Sequence, residues 1–133
     1  MASEEPKAEA GAIVVTDAFL ATFNAMDAAG HAKTLAYPHV RLASGTVRIW
    51  SDAEEATAAM EVAMAGLRER VGWDHSGWDH RQVIQVGPDK VHLDVQFTRY
   101  RADGSVVGIY LAVYVVVDQG GEWLIQARSS FAP

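Results

Sequence analysis

From residue 78 to its end, the chain is cut into four segments of similar length by three turn sequences: Gly87-Pro-Asp-Lys90, Ala102-Asp-Gly-Ser105 and Asp118-Gln-Gly-Gly121. Gly supplies positive φ, Pro presets its own φ, and Asp hydrogen-bonds the backbone just ahead, so each cluster favours chain reversal. The segments between them, about 78–86, 91–101, 106–117 and 122–131, are rich in Val, Ile, Tyr and Phe and largely alternate. This half of the chain is therefore expected to be a meander of long antiparallel strands, and the N-terminal half must supply whatever covers one of its faces.

The N-terminal half reads as helical. Residues 1–10 look like a charged, flexible leader containing Pro6. From about Gly11, Val15, Phe19, Phe23 and Met26 fall on one helical stripe that Gly30 closes, and Asp27 is placed to cap a short second helix through Leu35. Pro38 forbids continuation and pushes Tyr37 towards extended geometry. Residues 39–50 alternate around Ser44-Gly45 as a hairpin. Ser51-Asp-Ala-Glu54 then matches a capping box opening a helix with Ala56, Met60, Ala63, Met64 and Leu67 on one side, ending near Gly72. The expected fold class is α+β: a curved antiparallel sheet wrapped around three N-terminal helices, with residues 11–133 forming one domain.

Treating each turn as a simple hairpin pairs the strands residue by residue. One face collects Ile84, Leu93, Val95, Phe97, Tyr110, Tyr114, Trp123 and Ile125, and the same parity brings Trp78, His80 and Gln82 with them. This is the face expected to pack on the helices. On the opposite face, Asp79, Arg81, Gln85, His92, Asp94, Gln96 and Thr98 read as solvated. Strand 106–117 instead presents Val107, Ile109, Leu111, Val113, Val115 and Val117, each worth roughly 1.5–3 kcal/mol if buried rather than exposed. A monomer seldom shows such a patch, so a homodimer through strand 106–117 is expected, the alternative being cover from the same chain.

Polar groups on the inward parity mark the candidate site. A purely structural core would use Val or Ile where His80 and Gln82 stand. A cavity would use them as a proton-transfer group and a ligand contact, walled by Trp78, Phe97, Tyr110, Tyr114 and Trp123, with Trp73 as a lid from the helix-to-strand connection. The plain alternative is a strand end where His80 is partly exposed. His39, Arg41, Arg48 and Trp50 share one face of the first hairpin. Turned inward, Arg41 is a fixed cation for a carboxylate or developing oxyanion and His39 a second acid/base; turned outward, they are solvated. The repeat Trp73-Asp-His75 and Trp78-Asp-His80 puts its histidines on opposite faces of an extended strand, so no metal is expected. Asp17 reads as a first-turn charge favouring its helix dipole.

Composition narrows the function classes. The 133 residues carry no cysteine, which excludes disulfides and thiolate chemistry, and a net charge of −6, which argues against nucleic acid or anionic lipid as partner. No apolar run reaches the roughly 20 residues of a membrane span, and the acidic start is unlike a signal peptide, so a cytoplasmic location is expected. Phosphate-loop, dinucleotide-binding and nucleophile-elbow patterns are absent and no cofactor is expected.

Over about residues 11–133 the chain resembles the nuclear transport factor 2-like superfamily, and within it the SnoaL-like group. The resemblance rests on Phe23-Asn-Ala-Met-Asp27, Tyr37-Pro-His-Val-Arg-Leu-Ala-Ser-Gly45, Phe97-Thr-Arg-Tyr-Arg-Ala-Asp-Gly104 and Gly121-Glu-Trp-Leu-Ile-Gln-Ala-Arg-Ser-Ser130. It implies a cone-shaped barrel with a cavity between sheet and helices, and dimerisation through the sheet. The ketosteroid isomerase members use an Asp base, one of the worked cases of carboxyl tuning. Ala43 or Ser44 falls at that position here, so that mechanism does not carry over. The function expected is a cofactor-free isomerase, cyclase or dehydratase moving a proton on a small apolar carbonyl compound, with His80 as acid/base and Arg41 or a Tyr at the oxyanion. The alternative is a non-catalytic ligand-binding or protein-interaction domain.

Overall fold

A computed structural model describes residues 5–133. Two long helices, α1 (Glu5–Asn24) and α3 (Ala53–Val71), and a short one, α2 (Ala28–Ala32), accompany six strands: β1 (Leu35–Ala43), β2 (Thr46–Trp50), β3 (Trp73–Val86), β4 (Lys90–Arg101), β5 (Val106–Gln119) and β6 (Glu122–Ser130). The strands form one sheet in the order β2-β1-β6-β5-β4-β3. All neighbours are antiparallel except β1 and β6, which run parallel, so the sheet is mixed where a purely antiparallel one was expected.

The helices follow their sequence signals with shifted boundaries. α1 starts at Glu5, so residues 5–10 are helix rather than leader; the first part of the expected leader lies outside the described residues. The reason is packing: Ala8 and Ala12 extend the stripe of Val15 and Phe19 by two turns and are fully buried. Asp27 caps α2 by accepting from the Gly30 N–H at 2.9 Å, which places Gly30 inside α2. The box that opens α3 is one residue later than expected: Asp52 accepts from Glu55 N–H, and the Glu55 carboxylate accepts from Ser51 N–H. Gly72 closes α3 at φ 69°, in the left-handed region where only glycine is unstrained.

Three of the four long strands carry β-bulges on which the site depends. Val86 pairs with Val91 as the turn dictates, but Ile84 is bulged and Val83 pairs with Leu93. Asp79 is bulged in turn, after which Trp78 pairs with Phe97. Between the two bulges the parity of β3 is inverted. His80, Gln82 and Ile84 therefore face outward, and Arg81 and Val83 face the helices. The Arg81 guanidinium bonds the Asp17 carboxylate at 2.7 Å and Thr16 Oγ1 at 3.0 Å, clamping β3 to the middle of α1. That also corrects Asp17, which lies well inside the helix and serves as this partner. On β6, Gln126 is bulged, so Val116 pairs with Ile125 while Tyr114 pairs with Arg128. On β5, Val107 is bulged opposite Arg99 and Tyr100.

Gly11 lets α1 approach the sheet: a Cβ there would collide with the edge of the Trp123 indole, at Cγ, Cδ1 and Nε1, at the start of β6. Gly11→Ala sets an overpacking cost of about 1–3 kcal/mol against about 1 kcal/mol gained in helix propensity, so a net loss of about 1 kcal/mol is expected by urea denaturation. A variant more stable than the parent would mean that Trp123 moves aside freely.

Candidate functional site

The concave face of the sheet and the helices enclose two adjoining chambers. The inner one, about 50 Å³, lies between Phe19, Leu20 and Phe23 of α1 and the β-sheet residues Trp78, Phe97 and Tyr114. The outer one, about 460 Å³, has an apolar wall from Ala59, Met60, Ala63 and Leu67 of α3, with Trp50 on the sheet side. Phe23, Arg41, Arg99 and Arg128 line both, so three guanidiniums stand where the chambers meet. Arg48 and Arg70 join them in the outer chamber. Five of the eight arginines of an acidic chain thus converge on one site. Among the described residues no Asp or Glu lines either chamber.

Each guanidinium of the triad is held by groups that carry no negative charge. Arg128 is turned inward by the Gln126 bulge. Its Nε–H donates to His39 Nε2 at 3.0 Å, and the guanidinium carbon lies 5.1 Å from the Phe19 ring and 5.8 Å from Trp50. Arg99 faces inward on β4 beside Phe97 and lies 5.0 Å over the Tyr110 ring. Arg41 donates through Nη2 to the Ala132 carbonyl at 3.1 Å. Two nitrogens stay buried without any partner, Arg128 Nη2 and Arg99 Nε. Unpaired buried donors on a cation are expensive, and in native structures such groups serve a catalytic role, store strain, or are met by a water, an ion or a ligand. Burial pulls the pKa of Arg128 down to about 10 and lowers those of Arg41 and Arg99, yet all three stay protonated at neutral pH. Burial pushes the Tyr114 phenol up against the opposing pull of the arginines, so it is present as a hydroxyl.

His39 is a positioning residue in this arrangement. It is fully buried, its Nδ1–H donates to the Ile125 carbonyl at 2.8 Å, and its Nε2 accepts from Arg128. The ring is stacked on Trp50 at 5.7 Å. Burial, reinforced by the Arg128 charge, lowers its pKa to about 3. A neutral imidazole with both nitrogens engaged holds the arginine and has no proton to exchange with a ligand.

The remaining sequence candidates are redistributed. Trp78, Phe97 and Tyr114 stand in the inner wall and Arg41 faces the cavity, because the first hairpin turns its His39–Arg41–Trp50 face inward. Tyr110 lies behind the wall as the platform for Arg99. His80 is exposed on the outer face, 3.8 Å from the Asp94 carboxylate, and Gln82 is exposed beside it, both displaced by the bulges. Trp73 is a buried core residue of β3 rather than a lid: its Nε1–H donates to Ser76 Oγ at 2.9 Å and its ring meets Phe23 edge-on at 4.9 Å. Trp123 packs on Gly11 at the opposite end of α1, away from both chambers. Arg99 shares the inward parity of Phe97, so alternation was a usable signal for it; Arg128 falls on the wrong parity until the bulge is known. No cluster of three or more ligating side chains exists among the described residues.

Fold and geometry together define a small α+β domain, a curved, unclosed mixed sheet packed against helices with a cavity between them. A profile for the family described as NTF2-like protein (DUF6841) matches residues 8–130, and the chain belongs to that family. Solved structures agree on the fold. An NTF2-like protein with a cystatin-like fold from Novosphingobium aromaticivorans superposes with a TM-score of 0.77 at 10% identity, covering 94% of this chain and 81% of that one. A putative ketosteroid isomerase from Shewanella frigidimarina gives 0.71 at 20% identity over 90% and 94%. A putative calcium/calmodulin dependent protein kinase II association domain from Xanthomonas campestris gives 0.64 at 20% identity over 92% and 85%. No curated protein matches the sequence. No helix among the described residues is long and apolar enough to cross a membrane.

Two buried histidines tie stability to pH. His31, like His39, is fully buried, and burial lowers its pKa to about 3 from 6.5. Between those values the unfolded chain binds protons that the folded chain refuses. Stability from this source is complete above pH 6.5 and falls as pH drops towards 3. Urea midpoints measured across that window should fall with acidity, and His39→Gln should flatten the slope by up to about one proton. An unchanged slope in the variant would show that His39 titrates normally in the fold.

Proposed function

We propose that this chain binds a small organic acid, its anionic group received by Arg99 and Arg128 and its apolar body by the aromatic and α3 walls. The observation that carries the reading is the pair of unpartnered buried guanidinium nitrogens beside a cavity without a carboxylate. Charge-assisted bonds from arginine to a planar oxyanion are among the strongest polar contacts available to a binding site. This narrows the ligand class read from the sequence, a small apolar molecule with Arg41 available to a carboxylate or oxyanion, to an acid with an apolar body.

Anilinonaphthalene sulfonate, an anionic fluorophore with an apolar body, is a direct probe. Arg99→Met should weaken it by more than about tenfold, in line with about 1.5–3 kcal/mol for a hydrogen bond to a charged group. Neutral phenylnaphthylamine should bind both forms alike. Arg99→Met should also leave the ligand-free protein as stable as the parent or more so, since an unpaired buried charge is replaced by packing. Equal sulfonate affinity in parent and variant would overturn the reading.

The proton-transfer reading keeps one supporting observation, the Tyr114 hydroxyl in the same wall. It is placed to donate a proton or hydrogen bond to an oxyanion, while His80, which was to serve as acid/base, is on the far side of the sheet. Among the described residues neither chamber supplies a base, so binding is the better-supported function.

We also propose a two-fold dimer through the outer face of the sheet. The apolar surface supporting it is wider than strand 106–117. The sheet register aligns Ile49, Val40, Ala127 and Val115 in one row and Val47, Leu42, Ser129 and Val113 in the next. Val47, Ile49, Ile109 and Leu111 are each at least half exposed. A second copy satisfies such a face by symmetry, without any other partner. Light scattering at micromolar concentration should give a dimer mass for the parent and a folded monomer for Leu111→Arg. A monomeric parent would refute the assembly.

A further inference from the structure

The outer chamber holds a feature that a single anionic head does not use. Arg48 and Arg70 are exposed at its rim, one from the edge strand β2 and one from the last turn of α3. Arg48 pairs across the hairpin with Arg41, so it continues the inner cationic row outward. Neither rim arginine forms an ion pair with a carboxylate among the described residues, where Arg81–Asp17 is the only arginine–carboxylate bridge. The Arg70 side chain folds back along α3 over Gly66, its Nη1 lying 2.5 Å from where a Cβ at that position would stand.

Between the rim and the inner triad runs the apolar surface of Met60, Ala63 and Leu67 with Trp50 opposite. The inner cavity, at about 50 Å³, admits a compact head and little more, so the body of a ligand must lie outward through the larger chamber. From this geometry we infer that the ligand is an elongated molecule with an acidic group at each end, one on Arg99 and Arg128 and the other on Arg48 and Arg70. The inference rests on the anion-binding function proposed above and adds the second group and the direction of entry. It also sets a length: two cationic stations on rigid elements, with apolar wall between them, select one separation of charges.

Calorimetric titration at low ionic strength with straight-chain diacids from hexanedioate to dodecanedioate, and with the monoacids of equal length, tests this. Diacids should show an optimum length at which they bind at least about fivefold more tightly than the matching monoacid, as expected for a second, solvent-exposed ion pair. Monoacids should tighten steadily with length. Arg48→Ala/Arg70→Ala should reduce the optimal diacid to the monoacid level and leave monoacids unchanged. Monoacids binding as tightly as diacids at every length would overturn the two-ended ligand while leaving the anion site standing. No binding of either series, with Arg99→Met indistinguishable from the parent, would overturn both.

Discussion

The parallel pairing of β1 with β6 is the contact on which the site depends. It brings residues 35–42 alongside 125–129 across more than 80 residues of chain, and among the described residues it is the only parallel neighbour pair in the sheet. Through it the first hairpin joins the C-terminal meander, His39 reaches Ile125 and Arg128, and Arg41 reaches Ala132. Without this pairing the two halves would be a helix–hairpin segment and a meander, each with its share of the arginines and neither with a pocket.

What the pairing assembles is unfavourable for the folded chain taken alone. Bringing three guanidiniums together without a carboxylate sets desolvation and mutual repulsion against packing, cation–π contact and one imidazole acceptor. Hydrophobic side chains of similar volume would hold the same fold. The arrangement fits a site whose charge is completed from outside, and the neutral His39 shows how the fold prevents the cluster from growing by a further charge. The same economy of roles appears in Tyr110, which serves as a face for Arg99 and lines neither chamber.

The outer surface of the sheet divides along its strands. β3 and β4 carry polar outer side chains that bond one another, such as Asp79 with Thr98 at 2.7 Å and His92 with Gln85 at 2.7 Å. β2, β1 and β5 carry exposed aliphatic groups in register, with the small Ala127 and Ser129 of β6 between them. One side of the sheet therefore offers a polar half and an apolar half, with the cavity on the other side.

Element type and order were legible from local sequence: the Asp27 cap of α2, the start of α3 to within one residue, the three reversals after residue 84, and the alternation in β4 and β5 that puts Phe97 and Tyr114 inward. These depend on neighbours a few residues apart, where propensity and periodicity act. The resemblance to the superfamily added the cone shape. Which side chains share the cavity was decided by bulges at Asp79, Ile84 and Gln126. Each inserts one residue into a ladder of period two, so that His80 and Gln82 leave the interior and Arg128 enters it. A bulge is set by what both partner strands and the covering helix can accommodate, here the Arg81–Asp17 clamp and the seat for Arg128 between His39 and Phe19. That information lies in residues far apart in the chain, and only the folded arrangement brings it together.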